Sequence, residues 1–119
     1  MIKGGNVTIF VEDLGKAVNF YTKVLGLKLI KRHSKHWATL GAGGGLIIGL
    51  HEKSSNHPQP GTKGAVLIGL QVVGSLRTEV ERLENLKVHV ERTGVDEIGK
   101  FAYIHDPDGN PLYLFSTRR

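Results

Sequence analysis

The sequence contains no cysteine. That excludes a disulfide scaffold, a thiolate zinc site, an iron–sulfur cluster and a cysteine nucleophile. No apolar run approaches the roughly 20 residues that span a bilayer. The opening stretch, MIKGGNVTIFVEDL, alternates apolar with polar positions and does not place an apolar segment behind a basic one. A soluble, cytoplasmic chain with no membrane partner is therefore expected. A nucleophile elbow, a dinucleotide fingerprint and a phosphate-cradling loop are also missing. The glycine run GAGGG at 41–45 lacks the following helix and lysine of a phosphate loop and reads as a turn.

What is present fits one domain, or two small modules sharing a core, in 119 residues. Lys and Arg number 16 against 11 Asp and Glu, a formal charge of +5. The densest basic stretch, Lys28, Lys31, Arg32, His33, Lys35 and His36, reads as a solvated hairpin, with Arg118 and Arg119 at the far end. Without an arginine-rich helix, a finger spacing or an aromatic–basic recognition motif, no nucleic-acid interface is expected.

Hydropathy along the chain gives an order of elements. Residues 6–12 alternate, with Val7, Ile9 and Val11 on one face and Asn6, Thr8 and Phe10 on the other, a half-buried strand. Asp13 caps a helix over 13–26 that Gly26 ends, with Leu14, Ala17, Val18 and Tyr21 at helical spacing. Strands are predicted at 27–32, 36–41 and 46–51. A breaker-rich loop, 52–64, follows and holds Pro58, Pro60, Gly61 and Gly64. The order then starts over. A strand at 65–73 leads to a helix capped by Ser75 with Leu76, Val80 and Leu83 as its buried stripe, then strands at 87–93, 100–105 and 111–116. The last two are joined by the turn DPDGN at 106–110. The prediction is an α+β domain over 1–119 made of two tandem βαβββ modules, 5–51 and 65–117, joined by the linker 52–64.

Two segments, NVTIFVEDLGKAVNFYTKVLGLKL at 6–29 and FAYIHDPDGNPLYLF at 101–115, together with the doubled βαβββ order, resemble the vicinal oxygen chelate superfamily. That superfamily includes glyoxalase I, fosfomycin and bleomycin resistance proteins, and extradiol dioxygenases. The resemblance covers nearly the whole chain. It implies paired modules whose curved sheets form a half-open cleft, and in metal-dependent members a divalent ion held by His, Glu or Gln on strands. The family's ligand positions fall at Asn6, at or beside Gly49, at Val66 or Leu67, and at Tyr113. None is a good ligand: an amide is weak, glycine and leucine offer nothing, and a neutral tyrosine poorly replaces a carboxylate. Glu12 shares the strand parity of Asn6 but sits at the helix entrance.

The expectation is thus no metal and no cofactor. The chain is expected to bind a small aromatic or hydrophobic molecule in the manner of bleomycin-resistance proteins. Candidate ligand-binding residues are Phe10, Trp37, His51, Tyr103, His105, Tyr113 and Phe115. The rings suit a flat ligand, and His51 and His105 suit a polar anchor or base. Among the other histidines, the pair His33 and His36 reads as incidental to a polar hairpin, His57 as a solvated loop residue and His89 as a strand residue facing away from the core. Gly49 and Gly69, inside strands, read either as room for a ligand or a close backbone or as the marks of bulges. The +5 charge argues for a neutral or anionic ligand. Two alternatives remain open. One is a metal-dependent lyase or transferase of the glyoxalase or fosfomycin-resistance kind, using His51 with His105 or Tyr113. The other is a non-catalytic interaction module. All three readings carry a homodimer, because exposed sheet edges need covering.

Overall fold

The computed structural model of this chain describes residues 6–55, 59–62, 67–95 and 99–117. His57, Pro58, Gly64, Val66, Arg118 and Arg119 lie outside the described residues. The first four strands and helix are β1 (Val7–Val11), α1 (Leu14–Asn19), β2 (Lys28–Arg32), β3 (Trp37–Gly43) and β4 (Leu46–Glu52). After them come β5 (Ile68–Gln71), α2 (Leu76–Asn85), β6 (Arg92–Val95), β7 (Gly99–His105) and β8 (Pro111–Thr117). The architecture is α+β, with two four-stranded mixed sheets in the orders β1-β4-β3-β2 and β5-β8-β7-β6. In each sheet the first strand runs parallel to the last, β1 with β4 and β5 with β8, and the remaining pairs are antiparallel. Among the described residues no helix is long and apolar enough to cross a membrane.

The chain divides into two compact units, Met1–Thr62 with Pro107–Asn110, and Lys63–Asp106 with Pro111–Arg119. In the first, α1 packs on β3 and β4. Ile9, Val11, Ala38, Leu40, Ile48 and Leu50 are buried and meet in register, Ile9 and Ala38 both opposite Leu50 and Leu40 opposite Ile48. In the second, α2 packs on β7 and β8. Leu70, Ala102, Ile104, Leu112 and Leu114 form the matching buried row with Leu76 and Leu83 of the helix. Each sheet therefore commits alternate side chains to one helix and turns the others away from it.

Asp13 caps α1 as its sequence position predicts, in extended conformation with its carboxylate accepting from the Lys16 N–H at 2.9 Å. The helix does not continue to Gly26 with an α-helical period. From Phe20 to Val24 it widens into a π-helical turn, with the Leu25 N–H donating to the Phe20 carbonyl at 3.1 Å. The wider turn places two consecutive large rings, Phe20 and Tyr21, in the core. Gly26, at φ 83°, then reverses the chain. The GAGGG run acts as the expected turn between β3 and β4, with Gly43, Gly44 and Gly45 all at positive φ.

The second helix is capped by Ser75, whose hydroxyl accepts from the Thr78 N–H at 3.2 Å. Its C-terminus corrects the strand predicted at 87–93. The Val88 N–H donates to the Leu83 carbonyl at 2.9 Å and the Lys87 N–H to the Glu84 carbonyl at 3.0 Å, with Lys87 at φ 68°. This is a Schellman closure with lysine in the place that glycine usually takes. It consumes residues 87 and 88, so β6 begins only at Arg92 and extends to Val95.

The DPDGN turn does more than reverse the chain. Within the first unit, the Asp108 carboxylate accepts from the Glu12 N–H at 3.1 Å. Asn110 accepts from the Gly61 N–H at 2.8 Å and donates to the Phe10 carbonyl at 3.2 Å. Gly61 approaches so closely that a Cβ there would lie 2.2 Å from the Asp108 carbonyl oxygen.

Glu52 closes the other end of the α1 N-terminus. Its carboxylate accepts from the Leu14 N–H at 2.8 Å and bonds the His36 Nδ1 at 2.7 Å. The Leu14 N–H first, and His36 second, hold the carboxyl below its ordinary value of 4.5. Because the folded-state value is depressed, the stabilisation is fully present above 4.5 and is lost as pH falls through the lower, folded-state value. Glu52→Ala is expected to lower stability by about 1 kcal/mol at neutral pH. The gap between wild type and variant, read from denaturant midpoints, should narrow as the pH is taken below 4.5. A gap independent of pH would show that the carboxylate charge contributes nothing.

Candidate functional site

The candidate site residues lie on the sheet faces turned away from the helices. In the first unit, pairing puts Thr8 and Thr39 opposite Gly49, and Phe10 and Trp37 opposite His51. These side chains share one face by strand alternation. His51 stands between two rings, with centroids 6.0 Å from Phe10 and 6.4 Å from Trp37. Its Nδ1 lies 2.7 Å from the Glu52 carbonyl oxygen, so this nitrogen carries the proton and donates. The hairpin histidine His33 stacks on Trp37 with centroids 4.2 Å apart, and its Nε2 lies 3.1 Å from the Thr39 hydroxyl.

In the second unit four rings form a continuous wall. Phe101 meets Tyr103 edge to face at 5.5 Å, Tyr103 stacks on Tyr113 at 5.8 Å, and Tyr113 lies 5.8 Å from Phe115. Register explains the wall, because Phe101 pairs with Phe115 and Tyr103 with Tyr113. The Arg92 guanidinium lies over two of the rings, 4.6 Å from the Tyr103 centroid and 5.6 Å from that of Phe101. His105, on the same strand parity, pairs through Nδ1 with the Glu91 carboxylate. Glycines make the wall possible. A Cβ at Gly69 would meet the Tyr113 ring at 2.4 Å, and one at Gly94 would meet the Phe101 ring at 2.6 Å. Both rings therefore lie flat across a cross-strand glycine.

The structure thus groups Phe10, Trp37 and His51 on one sheet face, and Tyr103, His105, Tyr113 and Phe115 on another. Sequence reasoning passed over His33, which it read as incidental, and Arg92, whose strand it misplaced. The signal for Arg92 is a cation at a strand start opposite a tyrosine, legible only once the Schellman closure at Lys87 is recognised. His89, read as a strand residue, lies before β6 and outside any strand.

The divalent ion that the resemblance implies does not fit these residues. Gly49 supplies no donor, and Leu67 is an exposed alkyl side chain. The Asn6 amide oxygen accepts from the Thr8 hydroxyl at 3.3 Å, and the Tyr113 ring is laid across Gly69. Among the described residues no group of three or more His, Asp or Glu side chains is placed to hold a metal.

Comparison with known proteins agrees with this fold. The family model described as Glyoxalase/Bleomycin resistance protein/Dioxygenase superfamily matches residues 5–114. Among solved structures, the chain is similar to TnmS3, an antibiotic binding protein from Streptomyces sp. CB03234, with a TM-score of 0.80 and 23% identity over 99% of this chain and 98% of that one. It is similar to a lactoylglutathione lyase from Agrobacterium tumefaciens, with a TM-score of 0.75 and 20% identity over 98% and 94%. A superfamily member from Sphaerobacter thermophilus gives a TM-score of 0.77 and 20% identity over 98% of each chain. No protein of curated function matches the chain by sequence.

Gly69→Ala tests the wall directly. The added Cβ forces the Tyr113 ring off the sheet and breaks its contacts with Tyr103 and Phe115. A loss of about 1–3 kcal/mol is expected, with a changed near-UV circular dichroism signal. Adding Tyr113→Ala should recover part of that loss as a coupling energy. Strict additivity of the two substitutions would refute the ring-over-glycine packing.

Proposed function

The chain belongs to the glyoxalase/bleomycin resistance protein/dioxygenase superfamily, and from that premise we propose that it binds a small aromatic or hydrophobic molecule without using a metal ion. The observation that carries this reading is the half-buried wall of Phe101, Tyr103, Tyr113 and Phe115 with Arg92 over two of its rings. A wall of this kind offers a flat ligand stacking area and dispersion contact. The guanidinium above it and the +5 formal charge favour a neutral or anionic ligand over a cationic one. Phe10, Trp37 and His51 supply a second aromatic surface on the other sheet. A similar fold in a protein named for antibiotic binding supports small-molecule binding as the activity. The donor-poor set at Asn6, Gly49, Leu67 and Tyr113 supports the absence of a metal requirement.

Calorimetric titration with a panel of planar aromatic acids and neutral aromatics is expected to find ligands. Tyr113→Ala or Phe115→Ala should weaken them by about tenfold. Nickel, zinc, manganese or iron should leave Tm unchanged. Near-stoichiometric metal with a raised Tm would overturn the metal-free reading in favour of a metal-dependent lyase or transferase. A panel without a single binder would favour a non-catalytic interaction module.

The chain is also read as a homodimer. Leu29 and Ile30 on the sheet-edge strand β2, and Val95 on the edge strand β6, are exposed, and apolar edges favour covering. Sedimentation at micromolar concentration should give twice the mass of 13.0 kDa. A monomer would overturn this reading.

A further inference from the structure

Trp37 is the sole tryptophan of the chain. Its indole Nε1 is buried and, among the described residues, is the one buried side-chain polar atom without a hydrogen-bond partner. An indole nitrogen only donates, and leaving such a group buried and unsatisfied is destabilising. The orphan lies beside a second anomaly, a glycine in the middle of β4. A Cβ at Gly49 would stand 3.2 Å from Trp37 Nε1, 3.1 Å from Thr8 Oγ1 and 3.8 Å from Asn6 Oδ1. An indole N–H, a hydroxyl and an amide therefore converge over a residue that has no side chain of its own. Asn6 and Thr8 are exposed, so the niche has an outward-facing wall. Around it stand the His33 ring stacked on Trp37, and His51 with Phe10 beyond it.

We propose that this niche is an oxygen-acceptor subsite. It takes the carbonyl or carboxylate oxygen of a planar aromatic ligand, with Trp37 Nε1–H as the determining donor and Thr8 and Asn6 as flanking groups. The proposal rests on the aromatic-binding reading above and names the polar feature such a ligand must carry. The chemistry fits in three respects. An acceptor oxygen satisfies the orphan donor. The Thr8 hydroxyl, now donating to Asn6, can rotate to donate to the same oxygen. Glycine at 49 lets the oxygen come close to the strand backbone, where any larger side chain would intrude. A ligand lacking the oxygen leaves the N–H unpaired, which is how a hydrogen-bonding site rejects an apolar analogue.

The test uses 2-naphthamide, 2-naphthoate and 2-isopropylnaphthalene, which share a body and a similar outline. With a single tryptophan, the nitrogen-15 correlation spectrum contains one indole signal. That signal is expected to move downfield with the amide and the carboxylate and to stay in place with the hydrocarbon. Calorimetry should give about tenfold tighter binding for the oxygen-bearing pair. Trp37→Phe and, independently, Gly49→Ala should erase that preference, bringing the affinities of the three compounds within about threefold of one another. The relative affinities of amide and carboxylate tell a neutral from an anionic acceptor. If all three bind equally and the indole signal stays in place, the subsite is refuted while the aromatic-binding reading stands. If none binds, that reading fails and the subsite falls with it.

Discussion

The alternation of side chains across each sheet is the constraint on which the other features depend. The helices α1 and α2 each commit one face to a core, through Ile9, Leu40, Ile48 and Leu50 in one unit and Leu70, Ile104, Leu112 and Leu114 in the other. The candidate site residues on the strands then fall on the complementary positions. A slip of one residue would exchange the two faces and bury Thr8, Trp37 and His51 in place of the aliphatic row. Tight turns pin the register against that slip. Three consecutive positive-φ glycines join β3 to β4, and the turn before β8 is anchored through Asp108 and Asn110 to the backbone at Glu12, Gly61 and Phe10.

Within this frame a small residue beside a large ring recurs three times. Gly69 lies under Tyr113, Gly94 under Phe101, and Gly49 beside Trp37. In the second unit the ring fills the space that glycine opens, and the result is a continuous aromatic wall. In the first unit the arrangement is reversed. On the inner strand paired with the first strand, glycine stands opposite Thr8 in one unit, whereas tyrosine stands opposite Gly69 in the other. The same pairing geometry thus yields a polar niche in one unit and a stacked surface in the other, by exchanging which partner carries the bulk.

Much of this is legible in the sequence, because period-two alternation and helix caps are local signals. Asp13, Ser75, Gly26 and the alternation at 6–12 each place an element where the structure has it. What escapes is non-local or contradicts a residue's usual habit. Lysine at φ 68° closes α2 where glycine would be the expected sign, and this hides the true start of β6 and with it Arg92. The π-helical turn leaves no mark in a 3.6-residue period. Asp108 and Asn110 read as ordinary turn residues, since their partners lie about fifty or more positions away in the chain. The orphaned indole of Trp37 depends on the absence of a side chain at residue 49, which neither residue announces alone.

Charge around the two faces argues further about what they accept. The carboxylates nearest them are already engaged: Glu12 with Lys53, Glu52 with the Leu14 N–H and His36, and Glu91 with His105. A cationic ligand would have to compete with those partners for each negative charge, and would meet Arg92 over the rings as well. A neutral or anionic aromatic faces no such competition. Carboxylates engaged in this way do not supply the unengaged electron pairs converging on one point that a metal centre requires. At the positions where the resemblance places metal ligands, this chain has the Asn6 amide, Gly49, Leu67 and a Tyr113 ring laid across Gly69.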